Sequence, residues 1–318
     1  MLEATAFKRS AFAASSQKTY KSQLRCYLQF CLDYVRVPVP ADQETLSTYL
    51  AFLARRLSAN SIPNYLNVVR LLHLQYGYKN PLDDNFEVGL IKKGIRREKG
   101  VPPVQKEPIT VPILRQIRAT LDLDKPSDLA FWAACVLGFH GFMRKSTLLP
   151  SSAEAQLGKI LLREDILDLG IETFTLRVRH SKVIQFGEKV HHIPFAFCSD
   201  ATLCPVRAIM AHFGASPLGL SRPLFNFRYA GREITFTQSC FVTRLRLALI
   251  AAGLNANVYS AHSLRRGGAS LAFDLGLSPV QIKLRGDWAS DAFEQYVFIS
   301  TGATERVATA MSNGISLR

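Results

Sequence analysis

The stretch LAFWAACVLGFHGFMRKSTLL, residues 129–149, decides the architecture of this chain. Its first part, up to Phe139, carries no charged side chain and is too short to cross a bilayer as a helix. A run that is apolar on every side predicts a helix buried in a protein core. Arg144 follows almost at once, so the sequence brings a guanidinium to the edge of that core.

The rest of the chain provides a large core and a strongly basic surface. Of its 318 residues, 48% are hydrophobic and 20% are charged, which is ordinary for a folded protein and enough for two domains. The net charge is +14, and residues 1–107 and 108–318 share it equally. A basic excess of this size favours a polyanionic partner, either nucleic acid or an anionic membrane surface. No sustained apolar segment near the N-terminus indicates a signal peptide.

Four short helices are predicted before residue 100. Apolar residues recur at helical spacing from Ser16 to Tyr34, with Ser15 or Ser16 as the expected N-cap. The other three helices are expected from Asp42 to about Leu57, from Ser61 to about Tyr76, and from Asn85 to about Arg97. Short helices joined by short loops predict a helical bundle.

The segment GVPPVQKEP, residues 100–108, has the composition of a linker. Beyond it Thr110 is expected to cap a helix, and residues 172–195 alternate as a β-hairpin around a turn holding Gly187, with an earlier strand near residues 160–168. From Pro205 onward the pattern returns to helices. We therefore expect a mainly α protein: a helical bundle at residues 1–99, a linker, and an α+β domain at residues 109–318 with a small antiparallel sheet.

Four stretches are richer in reactive side chains than a core requires. GFHGFMRKSTLL holds Arg144, RHSKVIQFGEK holds Lys182, AHSLRRGGAS holds His262 and Arg265, and LRGDWASDAFEQYV holds Trp288 and Tyr296. The spacing of His262 and Arg265 puts both on one face of a helix. Taken singly, each residue also fits a plain structural role, such as an ion pair, a solvated hairpin lysine or a packed aromatic ring.

In this order, the four stretches resemble the tyrosine recombinase (phage integrase) family. The sequence motifs HSLRRGGA, SKVIQFG and GDWASDAFEQY are most similar to those of the recombinases of eukaryotic mobile elements of the Crypton and DIRS-like kinds. SSQKTYKSQLRCYLQFC at residues 15–31 and LSANSIPNYL at residues 57–66 resemble the family's helical core-binding domain, and the C-terminal region resembles its catalytic domain.

The resemblance implies a site-specific DNA recombinase that cleaves and rejoins strands through a 3′-phosphotyrosyl intermediate. Arg144 and Arg265 would grip the scissile phosphate, and Tyr296 would be the nucleophile. Lys182 would be the lysine of the β-hairpin, and His262 the histidine of the motif in AHSLRRGGAS. Trp288 would occupy the position that is His or Trp in the family. We expect double-stranded DNA as partner and a tetramer on DNA, with no metal, cofactor, small-molecule substrate or membrane.

Further cations are candidates for DNA contacts, although a solvated helix face explains any one of them equally well. These candidates are Arg70, Lys92, Lys93, Arg96, Arg97, Lys145 and Arg266. Two other functions stay open at this point: an inactive DNA-binding derivative of such an enzyme, and a topoisomerase of the tyrosine type. The expected location is the nucleus in a eukaryotic host and the cytoplasm otherwise.

Overall fold

The computed structural model describes residues 10–102, 105–290, 293–294 and 309. Contacts within the chain divide it into two compact units, Met1–Val104 and Gln105–Arg318. No helix among the described residues is long and apolar enough to cross a membrane.

The first unit is a bundle of four helices. They are α1 (Ala14–Asp33), α2 (Gln43–Ala54), α3 (Ile62–Gln75) and α4 (Phe86–Lys99). The side chains of Asp42 and Asn85 cap α2 and α4 by accepting hydrogen bonds from the amides of Thr45 and Val88. The first helix begins earlier than predicted, with Ala13 instead of Ser15 or Ser16 at its N-cap.

An aromatic cluster holds this bundle together. The rings of Tyr27, Phe30 and Tyr49 are fully buried, and each of the first two lies 4.9 Å from Tyr49 between centroids. The apolar faces of α2 and α3 complete the core around them. The helical spacing read from the sequence therefore corresponds to one buried stripe on each helix.

The second unit is built around the helix that the apolar run predicts. Its helices are α5 (Val111–Ala119), α6 (Pro126–His140), α7 (Lys145–Leu148), α8 (Pro205–Ala215), α9 (Gln238–Ala251), α10 (His262–Asp274) and α11 (Pro279–Arg285). Every residue of α6 from Asp128 to Phe139 is buried. Asp128 is the one charged residue among them, and it forms a bidentate ion pair with Arg244 of α9.

The predicted antiparallel sheet is confirmed. Strands β1 (Ile166–Leu167), β2 (Thr173–Val178) and β3 (His191–Ala196) lie in that order, and β2 pairs with β3 from Thr173–Ala196 to Val178–His191. A second hairpin, β4 (Phe227–Tyr229) with β5 (Arg232–Ile234), falls in the region where the sequence predicts only helices.

The segment predicted as a linker is only partly separate from the second unit. The amides of Glu107 and Ile109 donate to the carbonyls of Val258 and Ser263, at 2.8 and 2.9 Å. Its end at residues 105–108 therefore runs along the start of α10. Proline content marks a segment that is not helical, but it does not tell whether that segment is docked.

Candidate active site

A pocket opens where the ends of α6 and α11, the start of α7, the first turns of α10 and the sheet meet. It is lined by Gly141, Phe142, Met143, Arg144, Thr147, Val178, Ser181, His191, Ile193, Arg265, Arg285, Gly286 and Asp287. The two arginines that the sequence singles out thus reach one pocket from distant parts of the chain.

Arg144 is placed by the sharp end of the buried helix. The chain leaves α6 through Gly141 and through Phe142, which has a left-handed φ of 48°. A Cβ on Gly141 would lie 3.0 Å from the Leu137 carbonyl oxygen and from the Phe195 ring, so glycine suits this crowded turn. Arg144 follows at the N-cap of α7, half-buried on the pocket wall.

Two glycines bring α10 against that same turn. A Cβ on Gly268 would come within 2.0 Å of the Phe139 carbonyl oxygen, and one on Gly267 within 1.8 Å of the Ile109 carbonyl oxygen. Only glycine, whose side chain is a hydrogen atom, allows the backbone to approach this closely. Arg265 lies about one turn earlier on α10, so the close approach delivers its guanidinium to the loop after α6.

Arg265 is buried almost completely, with 1% of its surface exposed. Its Nη1 donates to the carbonyl oxygen of Phe142, and the guanidinium carbon lies 3.5 Å from the centre of a Trp288 ring. Trp288 is itself buried, in a small cluster with Phe142 and Ile282. The observed contact of Trp288 is thus a cation–π platform that fixes the plane of Arg265.

His262 begins α10 and lies in the field of four cations. Its pKa is lowered by partial desolvation and then by the positive charges of Arg265, Arg144, Lys145 and Lys182, in that order. Both effects disfavour the imidazolium. The imidazole is therefore neutral at physiological pH and has a nitrogen free of a proton to act as an acceptor.

Lys182 lies in the connection between β2 and β3, with its side chain exposed. The backbone beside it is fixed: Ser181 is buried, and the Lys182 carbonyl accepts a 2.6 Å hydrogen bond from the side chain of Gln185. Ser181 lines the pocket, which places this loop on the pocket side of the sheet, and the charge of Lys182 contributes to lowering the pKa of His262.

Comparison with known proteins finds recombinases among the proteins that this chain resembles. No family model matches the chain. The chain is 28% identical over 272 residues to an integrase/recombinase XerD homolog of Selenomonas ruminantium, a match that covers 82% of this chain and 74% of the relative. It is 33% identical over 91 residues to the Cre recombinase of Escherichia phage P1, covering 28% of this chain and 26% of the relative.

Solved structures agree in fold. The Tn1549 transposon integrase in complex with circular intermediate DNA superposes with a TM-score of 0.60 at 13% identity, over 96% of this chain and 97% of that one. The XerH site-specific recombinase in a post-cleavage complex with palindromic difH substrate gives 0.57 at 16% identity, over 86% and 73%.

These similarities agree with the resemblance to tyrosine recombinases that the sequence motifs carry. The mainly helical fold with a small antiparallel sheet, predicted from the residue patterns, is confirmed. Of the six residues that the family pattern assigns, the structure describes five. Arg144 and Arg265 line the pocket, the charges of Arg144, Arg265 and Lys182 reach His262, and Trp288 lies against Arg265. Tyr296 lies outside the described residues.

Sequence reasoning did not reveal the partners of two charged groups that surround these side chains. Arg285 donates to the carbonyls of His140, at 2.7 Å, and Pro194, at 3.2 Å, and so joins α11 to the end of α6 and to β3. Asp287 forms an ion pair with Lys189 and accepts from Ser181. Arg285 and Asp287 lie in the same motif as Trp288, which marks them as candidate site residues. Their partners, however, lie far away in sequence.

The predicted DNA contacts fall into two groups. Lys92, Lys93, Arg96 and Arg97 are exposed on α4, Arg70 is half-buried on α3, and Lys145 is half-buried next to Arg144. Arg266 forms the second group, because it does not share the exposure of the other candidates. Its side chain is buried, and its Nη1 donates to the carbonyl oxygen of Lys106. It holds residues 105–108 onto α10.

Proposed function

We propose that this chain is a site-specific DNA recombinase that cleaves and rejoins strands through a 3′-phosphotyrosyl bond to Tyr296. The observation that carries the proposal is the joint position of Arg144 and Arg265 on one pocket, in the electrostatic reach of His262. The similarity to recombinases from a bacterium and a phage supports it, as does the basic charge of both halves of the chain.

The two arginines suit a phosphodiester in its transition state. Attack on phosphorus adds negative charge to the non-bridging oxygens, and a guanidinium binds such oxygens through two N–H groups while staying charged at any relevant pH. Arg265 is fixed by Phe142 and by the Trp288 ring, so little reorganisation remains when the phosphate arrives. Preorganised donors of this kind contribute about 3–4 kcal/mol each to catalysis.

The proton transfers match the remaining groups. The Tyr296 hydroxyl must lose its proton as its oxygen attacks phosphorus, and a neutral His262 can accept that proton or hold the phosphate. The bond to the 5′-oxygen breaks at the same time, and that oxygen takes a proton from the Lys182 ammonium. The phosphotyrosyl bond conserves the energy of the phosphodiester, so the reverse attack by a 5′-hydroxyl rejoins DNA without a nucleotide cofactor.

Double-stranded DNA is the proposed partner. The integrase of Tn1549 and XerH were both solved on DNA, and this chain shares their fold. We further propose the domain arrangement of that family, with a core-binding unit at residues 1–99 and a catalytic unit at residues 109–318, and self-association as a tetramer on DNA. Kinship with Crypton and DIRS-like mobile elements and a nuclear location in a eukaryotic host rest on the motif wording alone.

Covalent trapping tests the proposal directly. The protein is incubated in chelator with nicked duplexes that tile the DNA flanking its gene, and adducts are read as shifted protein on a denaturing gel. We expect an adduct that disappears in Tyr296→Phe. An adduct that persists in that variant would transfer the nucleophile to another tyrosine. Binding without any adduct would favour a non-catalytic DNA-binding protein, and relaxed plasmid without recombinant products would favour a topoisomerase.

A further inference from the structure

The loop that carries Lys182 is tied at three points to the end of α11. The ring Nε2 of His191 lies 3.2 Å from the Arg285 carbonyl oxygen. The ammonium of Lys189 contacts one carboxylate oxygen of Asp287, and the hydroxyl of Ser181 donates to the other at 3.4 Å. Two of the three ties therefore end on a single carboxylate.

Ser181 passes this constraint to the backbone next to Lys182. Its hydroxyl oxygen accepts from the amides of Val183 and Ile184, each at 3.2 Å, and its own amide donates to the Ile184 carbonyl at 3.0 Å. Ile184 is fully buried. Lys182 thus projects from a tight turn whose buried hydroxyl is oriented by Asp287.

Asp287 also belongs to the turn that supports the arginine platform. It has a left-handed φ of 51° and directly precedes Trp288, whose amide donates to the Lys283 carbonyl. A Cβ on Gly286 would fall 1.7 Å from the Trp288 ring, so this turn has one tight packing arrangement. One short segment therefore contacts both the loop of Lys182 and the ring beneath Arg265.

The charge of Asp287 needs an explanation, because it lies on the wall of a pocket proposed to bind a phosphate. A bare carboxylate there would repel the ligand. The ion pair with Lys189 compensates the charge, and 13% of the Asp287 side chain remains exposed against 50% for Lys189. The carboxylate is thus directed at the loop and not at the pocket opening.

We infer that Asp287 is a positioning residue for Lys182: through Lys189 and Ser181 it holds the β2–β3 loop in the arrangement that presents the lysine to the leaving 5′-oxygen. This inference rests on the proposed recombinase function. In this arrangement Asp287 itself touches no reacting atom. Its effect is confined to the step that needs a proton on the leaving group.

The first test measures the loop without DNA. Hydrogen–deuterium exchange of residues 181–190 is compared between the wild-type protein and Asp287→Asn, Lys189→Gln and the double variant. Loss of a partly exposed ion pair predicts exchange about three- to fivefold faster in each, with no further increase in the double variant because the groups act on each other. Lys125→Gln is the matched control, since it breaks the exposed pair with Asp122 at the start of α6 and leaves the loop unchanged.

The second test isolates the protonation step. Adduct formation is measured on a nicked duplex with an ordinary phosphodiester and on one whose bridging 5′-oxygen is replaced by sulfur, because a thiolate leaves without a proton donor. We expect Asp287→Asn and Lys189→Gln to be slowed about tenfold on the oxygen substrate. On the sulfur substrate they should match the wild-type protein and Lys125→Gln.

The outcomes separate the two proposals. Unchanged loop exchange, equal slowing on both substrates, or faster cleavage by Asp287→Asn would overturn the positioning role, while a wild-type adduct would leave the recombinase function standing. A wild-type protein that forms no adduct on either substrate would refute the recombinase function and the positioning role together.

Discussion

Replacement of Gly268 by alanine should damage the site from a distance. The new Cβ would sit 2.0 Å from the Phe139 carbonyl oxygen, 2.8 Å from the Phe142 ring and 3.0 Å from the Phe139 carbonyl carbon. Ordinary contact begins near 3.4 Å, so α10 must move away from α6 by about 1.4 Å. Two of these three atoms are backbone, which cannot rotate aside as a side chain would.

The cost follows from the size of that shift. Overpacking of this kind costs about 2–3 kcal/mol of unfolding free energy, which corresponds to a melting temperature lower by roughly 5–10 °C. Because Arg265 donates to Phe142 across the same contact, displacement of α10 by about 1 Å should also slow adduct formation about 100-fold.

Thermal unfolding and covalent trapping measure the two effects. Gly214→Ala in α8 is the matched control, since nothing lies within 4 Å of its added Cβ, and its melting temperature should equal or exceed that of the wild-type protein. If Gly268→Ala melts and reacts like the wild-type protein, the close contact of α10 with α6 does not position Arg265.

Three further predictions concern individual charges. Arg265→Lys keeps the charge but loses the planar guanidinium and its stacking on the Trp288 ring, so adduct formation should fall about 100-fold while circular dichroism stays unchanged. A rate within threefold of wild type would contradict the role of Arg265 in binding the phosphate. Because the pKa of His262 is lowered by desolvation and by nearby cations, its neutral form persists to more acidic pH than that of an ordinary histidine, and cleavage should fall only below that range. The acid limb of the rate profile should vanish in His262→Asn, and an acid limb that survives would exclude this histidine. Arg266→Ala should lower the melting temperature without changing the salt dependence of DNA affinity, whereas Lys93→Ala should leave stability intact and reduce that salt slope by about one; the reverse pattern would mean that the buried side chain faces DNA after all.

The sequence predicts most of the secondary structure because its strongest signals are local. Asp42 and Asn85 begin their helices, and the apolar run before Phe139 forms the buried helix. The β4–β5 hairpin is missed because each strand has three residues, and its turn uses Ala230 and Gly231, both with left-handed φ, without a typical hairpin pair of residues. Such short strands leave no alternation to detect.

Long-range pairing explains what else the sequence does not reveal. Arg266 has the chemistry of a DNA contact, and only the fold shows that its partner is a backbone carbonyl in the segment predicted as a linker. The motif letters give the order Arg144, Lys182, His262, Arg265 but not the reason for the two glycines that follow. That reason is a helix–helix contact, which becomes visible only when both helices are in place.

The docking of residues 105–109 onto α10 has a mechanical consequence. The chain enters the second unit through Glu107 and Ile109, whose amides bond to residues on either side of His262 in sequence, and through the Lys106 carbonyl that Arg266 holds. Any pull on the segment between the two units is therefore borne first by the start of α10. The helix turn that carries His262 and Arg265 also anchors residues 105–109, so a force on this segment and the geometry of the candidate site are linked through the same few hydrogen bonds.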